Sequence, residues 1–272
     1  MDLKTLSTDE VLSINQKLVE DFRKSNTPIF PEGVKSQNLL ESAVDRQNAG
    51  WGEKLKYPTV AENASTLLYG LCCNHPFHNG NKRTALVCML AHLDKNGKIL
   101  RGVNHSELMN LLTDVAGHTI LIKHPKIKKE VDKGKFSFDE AEILCVTSWL
   151  KDNRMHEIKR GDKPITFREL KRILARFNFQ LENPKGNSID LIKVDSVPKF
   201  FGGFKEERKK IYSISYSGET KFVSIHSLKE IRKRCALEDK NGCDSSAFYD
   251  WEATVDSFIV EYSGILKKLA NK

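Results

Sequence analysis

The feature that most constrains the fold is a short polar turn between two strongly apolar helical stretches. Residues 60–73 read VAENASTLLYGLCC and residues 82–95 read KRTALVCMLAHLDK, with apolar residues around most of each helix. Helices of this kind are buried on nearly all sides, so they are predicted to form the centre of a helical bundle. The intervening residues 75–81, HPFHNGN, are then displayed at one end of that bundle.

The turn combines backbone and side-chain features that suit an anion. Gly80 and Asn81 open the second helix, so their backbone N–H groups lie at the positive end of its dipole. Lys82 and Arg83 add two cations to the first turn, where a helix normally favours acids. This pattern predicts a site for a phosphate chain, and His75 is placed to accept a proton from an attacking hydroxyl. The structural alternative is a packed or capping histidine and two cations that simply face water.

The string HPFHNGNKRTA resembles the signature of the Fic/Doc family, which reads His-x-Phe-x-(Asp/Glu)-Gly-Asn-(Gly/Lys)-Arg. Lysine after Asn81, and Thr-Ala after Arg83, are similar to the Doc, or death-on-curing, branch. The flanking stretches NLLESAVDRQ, YPTVAENASTLLYGL and HLDKNG resemble that branch in their order and spacing. The resemblance extends over about residues 5–155.

This resemblance implies an all-α Fic/Doc catalytic bundle over residues 1–157, with ATP as co-substrate and Mg²⁺ as cofactor. In the Doc branch the nucleotide is understood to bind reversed, so the γ-phosphoryl group passes to a hydroxyl side chain of a target protein. AMPylation of a target protein is the first alternative, and a catalytically degenerate nucleotide- or RNA-binding regulator is the second. The residues that the resemblance assigns are His75 as base, Phe77 as anchor and, as phosphate ligands, Gly80, Asn81, Lys82 and Arg83.

The Doc branch also resembles toxins that pair with a neighbouring antitoxin and act on translation factors, which implies both kinds of partner here. Two positions depart from the wider family. Asn79 stands where an acid usually holds Mg²⁺, and a neutral amide is a weaker ligand for this cation. Leu86 stands where AMP-transferring members have a second arginine that pairs with an inhibitory glutamate. Both that arginine and a matching inhibitory motif are absent from the sequence, which favours the Doc-like interpretation, transfer of the γ-phosphoryl group.

The loop at residues 48–58 precedes the motif, as a target-holding flap does in the family. It contains glycines together with Trp51 and Tyr57. We expect these aromatic side chains to hold a segment of the target protein. The alternative is that both are packing residues at the rim of the bundle.

Residues 158–272 differ in composition and predict a small basic α+β domain that ends in a helix at 248–269. Residues 158–237 contain 19 Lys and Arg against 9 Asp and Glu. A helix at 167–177 is followed by β-like runs at 179–194, 209–217 and 221–227 and by a helix at 227–235. This order faintly resembles the HicA fold, which is related to double-stranded RNA-binding domains, although the catalytic histidine is missing from the matching stretch at 186–189.

If the second domain binds RNA, its clustered cations would contact the phosphate backbone and its glycine-flanked aromatics would stack on bases. A structural or antitoxin-docking role is the alternative. The aromatic candidates are Phe200, Phe201 and Phe204. The cationic candidates are Lys209, Lys210, Arg232, Lys233 and Arg234.

The remaining sequence features predict a cytoplasmic protein that does not enter a membrane. No apolar run approaches the length of a membrane span, and the first residues have no apolar core typical of a secretory signal. The 6 cysteines show no Cys-x-x-Cys pair and no zinc-site spacing to histidine. We therefore expect reduced thiols and no cysteine-bound metal.

Overall fold

A computed structural model describes residues 3–52, 54–152, 154–157, 165–198, 203–238, 241 and 251–271. The chain divides into two compact units. The first comprises Met1–Ile158 together with Glu261–Lys272, and the second comprises Lys159–Val260. The predicted order of an all-helical part followed by an α+β part is confirmed.

The first unit is a bundle in which two long helices, α3 and α4, occupy the centre. Most residues of both helices are buried, as their apolar sequences predict. Helices α1, α2, α5 and α7 pack around this central pair. The helices are α1 (Thr8–Phe22), α2 (Gln37–Asp45), α3 (Val60–Cys73), α4 (Asn81–Lys95), α5 (His105–Ala116), α6 (Pro125–Asp132) and α7 (Phe138–Lys151).

Local capping explains where most of these helices begin. In α1, α3, α5 and α7 the side chain of the residue before the helix accepts a hydrogen bond from the backbone N–H of the third helical residue. That third residue is a glutamate, whose carboxylate accepts a hydrogen bond from the backbone N–H of the capping residue. A serine just before a helical stretch predicts a cap, and Ser137 and Ser106 are two such candidates. The prediction for Ser137 is confirmed, because its side chain accepts from the N–H of Glu140 at the start of α7. Ser106 does not cap α5, because Asn104 lies two residues earlier and its side chain accepts from the N–H of Glu107.

Two small antiparallel sheets accompany the bundle. Strands β1 (Gly50–Trp51) and β2 (Lys54–Leu55) form a hairpin between α2 and α3. Strands β3 (Lys98–Leu100) and β4 (Met155–Glu157), which lie far apart in sequence, pair to form the second sheet. Neither pairing was predicted, because strands of two or three residues give no periodic pattern.

A buried polar network ties the start of the chain to the central helices. Gln47, which is fully buried, exchanges two hydrogen bonds with the backbone of Leu6. Asn63 on α3 donates to the carbonyl of Gln47 at 2.7 Å, and its oxygen lies 2.9 Å from Nε2 of His92 on α4. Each polar side chain in this chain of contacts therefore has a partner that lies far away in sequence.

The second unit has the order helix, three strands, helix. Strand β6 lies at the centre of an antiparallel sheet with the order β5-β6-β7, and α8 and α9 contribute their apolar residues to the same core as the sheet. The elements are α8 (Phe167–Arg176), β5 (Phe179–Lys185), β6 (Ser188–Pro198), β7 (Phe204–Ser215), α9 (Ile225–Arg234) and α10 (Trp251–Glu261).

Helix α10 is held against α8 by buried polar contacts. Ser257 donates to the carboxylate of Glu169, which is also bonded by the backbone and hydroxyl of Thr166. Arg172 forms an ion pair with Asp256 on the same interface. Burial raises the pKa of Glu169, while these hydrogen bonds oppose that change. The carboxylate thus accepts from the capping residue Thr166 of α8 and from Ser257 on α10.

Three predictions for residues 158–272 need correction. The run at 221–227 is not a strand: Phe222 makes one isolated bridge with Thr166, and Ser224 then caps α9, which begins at Ile225. The last helix is broken at Tyr262, so α10 is followed by α11 (Ser263–Lys268), which packs on α5 of the first unit. The run at 179–194 is a hairpin of two strands, because Gly186 adopts a left-handed turn with φ of 57°.

Five of the six cysteines lie in described residues and are free thiols, while Cys243 lies outside them. The same holds for residues 248–250 at the predicted start of the last helix. In the described part of the chain, no helix combines the length and apolar character needed to span a bilayer.

The buried His92 gives a prediction about acid stability. Burial lowers the pKa of His92 to about 4, whereas an unfolded histidine titrates near 6.5. The unfolded state therefore takes up a proton that the folded state excludes, so the free energy of unfolding falls as pH drops from 6.5 towards 4. Between pH 7 and pH 5 this loss amounts to about 2 kcal/mol. Urea unfolding of the wild-type chain and of His92→Gln at both pH values should show the smaller loss in the variant; equal losses would contradict the assignment.

Candidate functional site

The seven residues between α3 and α4 hold the predicted motif at the end of the central helix pair. Phe77 is 1% exposed and anchors the loop in the core, as predicted. The side chain of Asn81 folds back over this anchor: its oxygen accepts from the N–H of Phe77 at 2.9 Å, and its nitrogen donates to the carbonyl of Phe77 at 3.0 Å. Asn81 therefore shapes the loop with its side chain, and only its backbone N–H is left for a ligand.

A second segment, residues 27–36 between α1 and α2, runs antiparallel along the motif loop; we call it the bracing segment. The carbonyl of Pro76 accepts hydrogen bonds from the N–H groups of Lys35 and Ser36, at 2.7 and 3.2 Å. The N–H of His78 donates to the carbonyl of Gly33 at 3.1 Å. Val34 and Phe77 form an antiparallel bridge between these contacts. The backbone of the motif loop is thus fixed by a strand-like partner.

The bracing segment also contacts the other end of the motif. Asn79 donates to the carbonyl of Phe30 at 2.8 Å, and Arg83 donates to the carbonyl of Thr27 at 2.9 Å. Gly80 lies against Ile29, where an added Cβ would meet two side-chain carbons at 3.1 and 3.2 Å. The bracing segment therefore contacts the motif along its whole length, from Pro76 to Arg83.

The amino-terminal end of α4 differs from the capped helices around it. Its first flanking residue is Gly80, with φ of 80°, and no side chain caps the helix. The N–H groups of Asn81, Lys82 and Arg83 have no intrahelical acceptor, as in the first turn of any helix. With no acid in this turn, the backbone and two cations create a strongly positive end.

Arg83 is a buried cation without an acidic partner in the described part of the chain. It is 1% exposed, and burial lowers its pKa to about 10. Its guanidinium carbon lies 5.4 Å from the ring centroid of Phe22, and its Nη1 donates to the Thr27 carbonyl. The hydroxyl of Thr27 is itself buried without a hydrogen-bond partner. A buried guanidinium of this kind is stabilised when an anion docks beside it.

His75 follows α3 and is exposed, with a left-handed backbone at φ of 49°. Its pKa is lowered, first by partial burial of the ring and then by the charges of Lys82, Lys35 and His118. The imidazole is therefore neutral at pH 7 and able to accept a proton. Lys82 is half-buried in the first turn of α4 and, within the described residues, has no acidic partner.

Asn79 does not fit the role of a magnesium ligand. Its oxygen accepts the N–H of Gly80 at 2.6 Å while its nitrogen bonds Phe30, so both ends of the amide are occupied. Among the described residues, no cluster of three or more His, Cys, Asp or Glu side chains is arranged to hold a metal. Asn79 instead fixes the loop through both ends of its amide group.

The two aromatic residues of the predicted flap have different environments. Trp51 lies in hairpin β1–β2 and is 91% exposed. Tyr57 is 9% exposed and packs in the bundle, so its ring is not available to a target protein. The hairpin requires Gly50, because a Cβ there would lie 2.2 Å from the carbonyl oxygen of Lys54.

The basic candidates of the second unit are partly engaged in local contacts. Lys210 pairs with Asp190 at 2.7 Å, and Arg234 lies 3.9 Å from the ring centroid of Tyr212 and pairs with Glu230. Arg232 donates to the carbonyl of Leu237. Lys209 and Lys233 are exposed. Phe204 is also exposed, whereas Phe200 and Phe201 lie outside the described residues.

One pair beside the motif was not predicted. His118, after α5, places Nδ1 at 2.7 Å from the carboxylate of Glu142 on α7, which is fully buried. The two residues are 24 positions apart on different elements, so no local spacing links them. A buried acid inside the apolar helix FDEAEILCVTSWLK is the one sequence signal that could have suggested a partner.

Comparison with known proteins agrees with this geometry. The model of a family described as Fic/DOC family matches residues 5–93, about a third of the chain. The matched region runs from before α1 into α4 and includes the bracing segment and the whole motif. No curated protein matches the chain. The match supports the resemblance to the Fic/Doc family and a helical Fic domain in the first unit; it does not reach the second unit.

The close approach at Gly80 gives a prediction with a matched control. Gly80→Ala and Gly97→Ala both place a side chain at positive φ, which destabilises by about 1–2 kcal/mol. At Gly97 an added Cβ meets nothing within 4 Å, whereas at Gly80 it meets Ile29. Gly80→Ala should therefore lower the free energy of unfolding more than Gly97→Ala, as measured by urea denaturation. Adding Ile29→Val should recover part of the difference, and equal effects of the two alanines would contradict the close packing.

Proposed function

We propose that the first unit transfers the γ-phosphoryl group of ATP to a hydroxyl side chain of a target protein. The observation that carries this proposal is the uncapped positive end of α4 next to a neutral His75. Within the described ranges, neither Lys82 nor the buried Arg83 at this end has an acidic partner. A polyphosphate supplies the negative charge that this end lacks. The target hydroxyl supplies the proton that the imidazole can accept.

Different residues of the motif are assigned to phosphate binding, proton transfer and the shape of the loop. The backbone N–H groups at the start of α4, with Lys82 and Arg83, hold the phosphate chain and stabilise the charge that spreads over the transferred group. His75 takes the hydroxyl proton as the oxygen attacks phosphorus. The bond between the γ-phosphorus and its bridging oxygen breaks, so ADP leaves and the phosphoryl group remains on the target. The side chains of Asn79, Asn81 and Phe77 keep the loop in shape.

The Doc-like choice of the γ-phosphate is supported by Lys82 and by Leu86. Lys82 adds a cation where a second glycine would leave open space. Leu86 is fully buried in the core, so its position contributes no group to a nucleotide. Nucleotidyl transfer is the competing outcome, because the same phosphate-holding groups serve both reactions. A separate antitoxin, a translation-factor target, RNA binding by the second unit and a cytoplasmic location stay predictions.

The test of the proposal is labelling of a cell extract by the full chain with γ-labelled and, separately, α-labelled ATP. Label from γ alone is expected, and His75→Ala should reduce the rate by about 10²- to 10⁴-fold, since it removes the general base. His78→Ala is the matched control, because His78 is an exposed histidine in the same loop and should label normally. Label from α would identify nucleotidyl transfer, and no label from either would favour a binding-only protein.

The exposed hairpin gives a separate prediction about the target. Trp51→Ala should lower the labelling rate about tenfold at limiting extract, because an exposed tryptophan is the side chain most suited to anchor a protein partner. Saturating extract should restore the rate, since the chemistry at His75 is unaltered. Phe204→Ala, which removes an exposed aromatic ring from the second unit, is the control. An unchanged rate for Trp51→Ala at limiting extract would exclude this docking role.

A further inference from the structure

The outer edge of strand β7 is an open sheet edge in the second unit. Because β7 lies at one side of the order β5-β6-β7, one row of its backbone N–H and C=O groups points away from β6. Among the described residues, no other segment forms a strand pairing or a backbone hydrogen bond along that outer side. Residues 204–210 are all exposed. This edge can therefore accept another strand without displacing one that is already there.

Two charged side chains of β7 lie opposite like charges on β6. The antiparallel register places Glu207 opposite Asp195, and it places Lys209 opposite Lys193. Like charges directly opposite each other destabilise a sheet. Lys193 and Asp195 pair with each other at 2.9 Å, whereas Glu207 and Lys209 form no ion pair in the described part of the chain. Each of these two side chains would therefore gain from an opposite charge on the open side of β7.

A second copy of the same edge supplies these charges in one register. When two identical strands pair antiparallel about a two-fold axis, one residue of each strand lies opposite its own equivalent. With Arg208 at the axis, Glu207 of each copy lies opposite Lys209 of the other. In the same register, Glu206 lies opposite Lys210. Moving the axis by one residue in either direction instead brings two cations opposite each other, so the charges select this register.

The centre of this pairing has balanced charge and open space around it. Arg208 donates to Glu182 on β5 at 2.6 Å and to Glu206 at 3.0 Å, so acids of its own chain offset its charge. The core that the sheet shares with α8 and α9 takes its β7 side chains from residues 211–214. Residues 205–210 lie outside that core, so the packed helices do not cover them.

We propose that two copies of this chain pair through β7, antiparallel and centred on Arg208, to form one continuous sheet of six strands. The occupant of the open edge is a second copy, because the same stretch carries both the charges that need partners and the charges that satisfy them. An edge with charge of one sign only would repel its own copy and stay unpaired. This pairing is independent of the proposed function, because it involves the second unit alone.

The test measures self-association of the full chain by sedimentation equilibrium at low ionic strength, where the 31.0 kDa chain should form a reversible dimer. Glu207→Lys and Lys209→Glu should each weaken the dimer about tenfold, because each puts like charges opposite each other across the axis. Mixing the two variants should restore the wild-type affinity, since each then supplies the charge that the other lacks. Both variants should keep the fold, because each change places an opposite charge against β6.

A cysteine at the axis checks the register. Directly opposite residues of an antiparallel pair have Cα atoms about 4.5–5.5 Å apart, within reach of a disulfide. Mild oxidation should therefore cross-link two copies of Arg208→Cys, whereas Lys205→Cys, which lies opposite Ile211 of the second copy, should cross-link no more than the wild-type chain. A monomer at all concentrations, a dimer unaffected by both charge reversals, or equal cross-linking at the two positions would overturn the proposal.

Discussion

The positive charge at the amino end of α4 is the constraint around which the first unit is built. Helices α1, α3, α5 and α7 each balance their first turn with a glutamate and a capping side chain. Helix α4 has neither, and it adds Lys82 and a nearly inaccessible Arg83. Such an end is stable in a folded protein only because the rest of the bundle holds it, and it becomes favourable when an anion binds.

The loop before this helix keeps its shape through contacts that leave the chemical groups free. Phe77 fills the core, while the amides of Asn79 and Asn81 bond backbone atoms of the loop and of the bracing segment. The residues with scaffolding roles are therefore interleaved with those assigned to catalysis. This arrangement explains how a seven-residue connection can present an imidazole and a helix end with fixed geometry.

The helices and the motif could be predicted from sequence because both depend on neighbouring residues. The predicted range for α3 agrees with the structure at both ends, and Ser137 caps α7 as expected. The wrong predictions concern positions where another residue nearby could also cap the helix, or where a contact with a distant segment determined the structure. Asn104 capped α5 in place of Ser106, and Ser224 began α9 within a run that alternates like a strand. The charge clusters of the second unit indicated a basic surface but not the acids, such as Asp190, that neutralise parts of it.

The sequence by itself determined the two-part architecture, the central helix pair and the position of the positively charged turn between them, since each follows from periodicity, capping and charge within about fifteen residues. Only the tertiary structure decided which motif residues remain available. In the folded chain, both ends of the Asn79 amide form hydrogen bonds, Tyr57 is buried and Trp51 is exposed. The tertiary structure also joined His118 to Glu142, because the turn after α5 and the buried side of α7 meet only in the folded bundle. Contacts between distant segments depend on packing, which no local pattern encodes.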